Sequence, residues 1–114
     1  KATVTLVDHN VFRKSNGDSC DWTVTEIVDH HRDEGQHADT CPLSNRNIAF
    51  EEAQAQALVA STTTLVAEDF YANNNNNNDI NADSAMPPSL AILLLGTILL
   101  DSVNMSPKAG KGTP

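Results

Sequence analysis

Two short runs constrain this chain more than any other feature. Ala2 to Val7 (ATVTLV) and Thr23 to Val28 (TVTEIV) are rich in β-branched and apolar residues, and each ends abruptly in an acid followed by imidazole, Asp8-His9-Asn10 in the first case and Asp29-His30-His31 in the second. β-Branched side chains are stiff and suit a pleated surface, so both runs read as strands, the first a buried one. Polar groups then collect at the same end of two strands. That is the arrangement of an open α/β sheet, in which ligands gather outside the carboxyl ends of the strands.

Between these runs, Phe12 to Trp22 carries Ser, Asn, Gly and Asp and reads as a loop or a poor, short helix. Arg32 to Asn47, with Gly35 and Pro42, is an irregular connection. Ile48 to Tyr71 has two readings. Propensity alone gives one long helix through EEAQAQAL, whereas the Ser61-Thr62-Thr63-Thr64 cluster allows a short strand ending near Ala60 and a helix capped by Ser61 or Thr62. The six asparagines from Asn73 to Asn78 lie in a polar stretch that reaches Ser84. Such a segment cannot bury enough apolar surface to order itself, so residues 72–85 are expected to form a disordered surface loop. Pro87 and Pro88 suit the first turn of a helix, and Leu90 to Val103, apolar on nearly all faces, is expected to be a helix buried beneath a sheet.

Charge and length set outer limits. The 114 residues, enough for one small domain at most, include 7 Lys+Arg against 15 Asp+Glu, a formal charge of −8. An acidic field repels phosphate polymers, so plain nucleic-acid binding by a basic face is disfavoured, and any polyanion must be held through metal ions or basic residues elsewhere. Leu90 to Leu100 is about half the roughly 20 residues needed to span a bilayer, and no membrane partner is expected. The two cysteines, Cys20 and Cys41, make neither a disulfide framework nor a Cys-x-x-Cys pair, which favours a reducing, cytoplasmic setting. Lys1 to Asn10 lacks the features of a signal peptide. The strand-like start at Lys1 and the Pro/Gly/Lys end from Ser106 suggest a piece of a longer protein.

Three acids interrupt apolar elements: Asp8, Asp29 and Asp101. An ionised carboxylate near apolar surroundings is tolerated when it is paired, hydrogen-bonded or bound to a metal. The sequence neighbours here are imidazoles, and carboxylates with imidazoles suit a divalent ion such as Mn, Mg, Co or Zn. Asp8 and Asp29 could equally start turns or cap helices. His30 and His31, being adjacent, point to different sides of the backbone, so one can bind metal while the other meets substrate. His9 reads as structural, His37 as solvated, and the cysteines carry no ligand spacing. Asp101 at a helix C-terminus is an unfavourable neighbour for the dipole and needs compensation.

The runs LVDHN (Leu6 to Asn10), IVDHHRDEG (Ile27 to Gly35) and LLLGTILLDSVNM (Leu93 to Met105) occur in the order and approximate spacing seen in the DHH phosphoesterases, and the chain resembles their exopolyphosphatase and prune branch. Asp-His-His alone is a weak signature, but three motifs in order are specific. The resemblance covers the chain apart from the Asn-rich insertion. It implies an α/β fold, 1–114 being part of a doubly wound parallel-sheet domain, with a strand over Gln56 to Ser61, a helix over Thr62 to Tyr71, and Ser61 and Thr62 at the phosphate-facing end. It also implies a centre of two divalent ions, Mn or Mg, with Asp8, His30 and Asp101 as metal ligands, His31 beside the substrate phosphate as the catalytic and substrate-binding residue, and Asp29 orienting its neighbours. The second His of the motif is intact, whereas animal prune proteins tend to carry Arg there.

The implied activity is hydrolysis of phosphoanhydride bonds in inorganic polyphosphate by two-metal activation of water. Two features of the family are missing: the first Asp-x-Asp motif and the basic C-terminal domain that closes over polyphosphate. The expected partners are therefore polyphosphate or pyrophosphate and the N- and C-terminal parts of the same protein, and the segment alone is expected to be inactive. The alternatives are a family II-type inorganic pyrophosphatase, a prune-like regulatory module that binds other proteins, and a truncated chain that does not fold alone.

Overall fold

The computed structural model describes residues 2–14, 17, 19–76 and 86–106. They belong to two compact units, Lys1–Leu58 and Val59–Pro114.

The first unit is built on strands β1 (Ala2–Val7), β2 (Trp22–Asp29) and β3 (Arg46–Ile48), in the order β1-β2-β3 and parallel throughout. The two β-branched runs are thus neighbours that end side by side, as the sequence implies. β1 lies at the edge of the sheet. Its Leu6 is buried while Thr3, Thr5 and Val7 are exposed, so the expectation of a fully buried first strand is corrected to a half-buried edge strand. Alternation explains this, because successive side chains point to opposite faces and only one face of β1 is covered.

β2 carries a bulge. Val4 pairs with Val24 but Thr5 pairs with Glu26, which leaves Thr25 without a partner on β1, and the Thr25 carbonyl accepts a hydrogen bond from Asn45 Nδ2 at 3.1 Å. Residues 24 and 27 are an odd number apart and would face opposite ways on an unbroken strand; the extra residue resets the alternation. Val24 and Ile27 therefore both join the core with Leu6 and Cys41, against which Val4, Phe12 and Ile48 pack. Cys41 is buried and Cys20 exposed.

After β3 the chain leaves the parallel sheet. β4 (Phe50–Glu51) and β5 (Gln56–Ala57) form a two-stranded antiparallel ladder. The strand expected over Gln56 to Ser61 is thus shortened to two residues and turned antiparallel. The cause is the tight turn before it, closed by Ala55 N–H on the Glu52 carbonyl at 3.3 Å with Ala55 left-handed at φ 52°, which folds the chain back on β4.

The second unit holds α1 (Thr62–Asn76) and α2 (Pro88–Asp101), which pack on each other. The capped-helix reading of 48–71 holds, since Ser61 Oγ accepts from Thr63 N–H at 3.2 Å. α1 runs past Tyr71 to Asn76. Each added asparagine costs only a few tenths of a kcal/mol in propensity, and extending a nucleated helix is far easier than starting one. The rest of the expected loop, 77–85, lies outside the described residues. α2 starts at the prolines as expected, but it has no buried residue, and Ile92, Leu93 and Leu100 are 72%, 66% and 81% exposed. The buried-helix expectation is therefore corrected. A helix apolar on all sides needs neighbours on all sides, and among the described residues of its unit α2 has one helical neighbour, α1. No helix among the described residues is long and apolar enough to cross a membrane.

Candidate metal centre

The centre forms where β1 and β2 end. The ladder continues one step past β1, with Asp8 N–H donating to the Val28 carbonyl at 3.0 Å, and the backbone then turns left-handed at Asp8, φ 66°. Aspartate, with its short polar side chain, tolerates that conformation better than most residues, and it carries the chain away from the sheet at once. The Asp8 carboxylate, 62% exposed, lies 3.3 Å from His30 Nε2, whose side chain is 16% exposed. The His30 and His31 rings meet edge to face with centroids 4.5 Å apart. Asp8, His30 and His31 each offer a ligand atom within 4.8 Å of the other two. A carboxylate and two imidazoles match the donor preferences of a borderline divalent ion.

Asp29 stands behind this group. It is fully buried, and its Oδ1 accepts from the backbone N–H of His30 at 2.8 Å, the N–H of His31 at 3.2 Å and His31 Nδ1 at 2.7 Å. Its Oδ2 accepts from Asn10 Nδ2 at 2.7 Å. Burial pushes this carboxyl up, but the hydrogen bonds from His31, Asn10 and the two backbone N–H groups outweigh it and hold Asp29 below its ordinary value. A carboxylate only accepts, so the neutral His31 ring carries its proton on Nδ1 and its lone pair on Nε2.

A cavity of about 340 Å³ opens beside these groups, lined among others by Asp8, Asn10, Asp29, His31, Arg32 and Glu34. His9 folds back, its Nδ1–H donating to the Val7 carbonyl at 2.9 Å, in line with a structural role. His37 is more than a solvated loop residue. Its Nε2 accepts from the Phe12 N–H at 3.0 Å and its carbonyl accepts from the N–H groups of Thr40 and Cys41, because the turn it occupies brings the ring back against the first connection. Arg46, buried at its side chain, holds Asp33 and the Gln36 carbonyl and so braces the segment after His31. Neither Asn10 nor Arg46 is marked as a site residue by the sequence patterns above. For Asn10 a signal existed, an amide two residues beyond a strand-end acid, yet its partner lies 19 positions away. Asp101 belongs to the other unit, at the end of α2, where no basic residue occupies the last turn.

Sequence comparison adds a second line. Over 112 residues, 98% of this chain, it is 35% identical to the exopolyphosphatase PRUNE1 of Homo sapiens, and it is 36% identical over 111 residues to that of Bos taurus and 34% to that of Rattus norvegicus. These matches support reading the chain as a fragment of the prune branch of the DHH phosphoesterases. It spans about a fifth of the length of these curated relatives. No family model matches it, and no solved structure does. The pair of adjacent histidines after Asp29 gives this chain two imidazoles at the strand end.

Proposed function

We propose that this chain is the ligand-bearing part of a metal-dependent phosphohydrolase that cleaves phosphoanhydride bonds of inorganic polyphosphate. The observation that carries the reading is the convergence of Asp8, His30 and His31 at the ends of two parallel strands, and the exopolyphosphatase name of the relatives supports the substrate class. In this reading Asp8 and His30 hold a divalent ion, Mn or Mg, and Asp101 contributes to a two-ion centre in the complete protein. Bound divalent ions would make water acidic enough to attack near neutral pH and would offset the charge of the phosphoryl oxygens. His31, its ring fixed through Nδ1 by Asp29, presents Nε2 to the terminal phosphoryl group. Asp29 itself touches no substrate and keeps the ring and both histidine N–H groups in place. Further ligands and the basic residues that would face a polyanion come from the parts of the protein beyond this segment, and the working compartment is the cytoplasm.

The test is phosphate release from polyphosphate by the full-length protein in the presence of Mn²⁺. Asp8→Ala is expected to abolish it, and retained activity in that variant contradicts the assignment. Comparing diphosphate with longer chains separates the exopolyphosphatase reading from a pyrophosphatase. A parent protein that binds Mn²⁺ yet hydrolyses neither would instead be a binding module.

A further inference from the structure

The two halves of the candidate centre come from different strand ends, Asp8 after β1 and the histidines after β2, and something must fix their separation. Asn10 is 4% exposed, and its carboxamide is fully engaged across the gap. Nδ2 donates to Asp29 Oδ2 at 2.7 Å and to the Arg32 carbonyl at 2.9 Å, while Oδ1 accepts from Glu34 N–H at 3.0 Å. Asn10 thus ties the loop that bears Asp8 to both sides of the His30-His31 pair. Its grip on one Asp29 oxygen leaves the other aimed at His31 Nδ1, 2.7 Å away. No other common side chain of this size can donate two bonds and accept one from a planar group.

We propose that Asn10 is the positioning residue of this centre: through Asp29 it locks His31 in the Nδ1–H form with Nε2 outward, and through Arg32 and Glu34 it sets the spacing between the Asp8 and histidine arms. The first part stands on the hydrogen bonds alone; the consequence for metal binding rests on the metal-centre reading. Partners that hold a metal's ligands in place typically change its affinity by about 10- to 100-fold when removed, and Asn10 reaches the Asp8 and His30 ligands by fixing the spacing of the arms that carry them.

The test uses the full-length protein that carries this segment, at a pH where the histidines are neutral. Long-range ¹H–¹⁵N spectra of the rings read the His31 tautomer, and titration with Mn²⁺ reads affinity. In the wild type His31 is expected to be Nδ1–H. In Asn10→Ala, and in Asn10→Asp, which keeps the shape but removes the donor, the Nε2–H form is expected to appear and Mn²⁺ affinity to fall by about 10- to 100-fold. A folded variant with the wild-type tautomer and affinity within about twofold overturns the proposal. Should both variants fail to fold, the wild type decides. The Asn10 side-chain amide protons are expected to be protected from exchange and to shift when Zn²⁺ is added, and amide protons that exchange like those of a solvated asparagine overturn it. If the wild type binds no Mn²⁺, the metal-centre reading fails, while the tautomer and the protection of the Asn10 amide still judge the role of Asn10.

Discussion

At the scale of single residues, the buried Asp29 carries the most consequence. A carboxyl held below its ordinary value in the folded state contributes stability above the unfolded pKa, about 4, and that contribution is lost as pH falls through the lower folded value. Asp29→Asn removes this dependence. Urea denaturation of the wild type and Asp29→Asn between pH 7 and pH 3 is therefore expected to show the wild-type advantage shrinking only below about pH 4. An advantage independent of pH would mean that the carboxylate charge is not what the surrounding donors stabilise. The Ala55 backbone makes a separate residue-scale point. At φ 52° a Cβ is disfavoured, so Ala55→Gly is expected to leave stability unchanged or raise it by up to about 1 kcal/mol, against the usual loss on adding a glycine. A midpoint that falls instead would place the turn in another conformation.

The elements differ in how far the sequence announces them. β1 and β2 are legible because β-branched alternation and strand-end acids are local signals, and the Asp-His-His cluster follows from them once the strands pair in parallel. The bulge at Thr25 is not legible, since it exists only in the register between two strands. Gln56 to Ser61 fails for a related reason. Its residues suit a strand, but the turn closed by Glu52 and Ala55 decides which neighbour it meets. The Asn10 bridge is not legible, because hydrogen bonds from a turn amide to a carboxylate 19 positions away leave no periodic trace. Core packing gives this scale its prediction. Ile27 is fully buried where the bulge returns it to the Leu6 and Val24 side. Ile27→Ala is expected to cost about 2–5 kcal/mol, read by the shift in urea midpoint at constant slope. A loss within the range of surface substitutions, about 0.5 kcal/mol, would contradict the placement of Ile27 in the core.

For the molecule as a whole, charge and apolar surface point in different directions. A formal charge of −8 works against a polyanionic substrate, and Arg32 and Arg46 are already engaged with Glu52 and Asp33. Under the proposed function, substrate binding by this segment would draw on cations at the strand ends, which gives the acid-imidazole cluster its weight in that reading. The exposed leucines and isoleucine of α2 are the other global feature. Their apolar character is legible but their exposure is not, because a sequence does not say whether an apolar helix finds neighbours. The central claim, that Asp8 and His30 hold a divalent ion at the strand ends, is tested most directly by titrating the chain with Mn²⁺ and following the loss of free-ion signal by electron paramagnetic resonance. The account predicts saturable binding in the wild type that is lost in both Asp8→Ala and His30→Ala while those variants remain folded. Equal binding in all three proteins would contradict it.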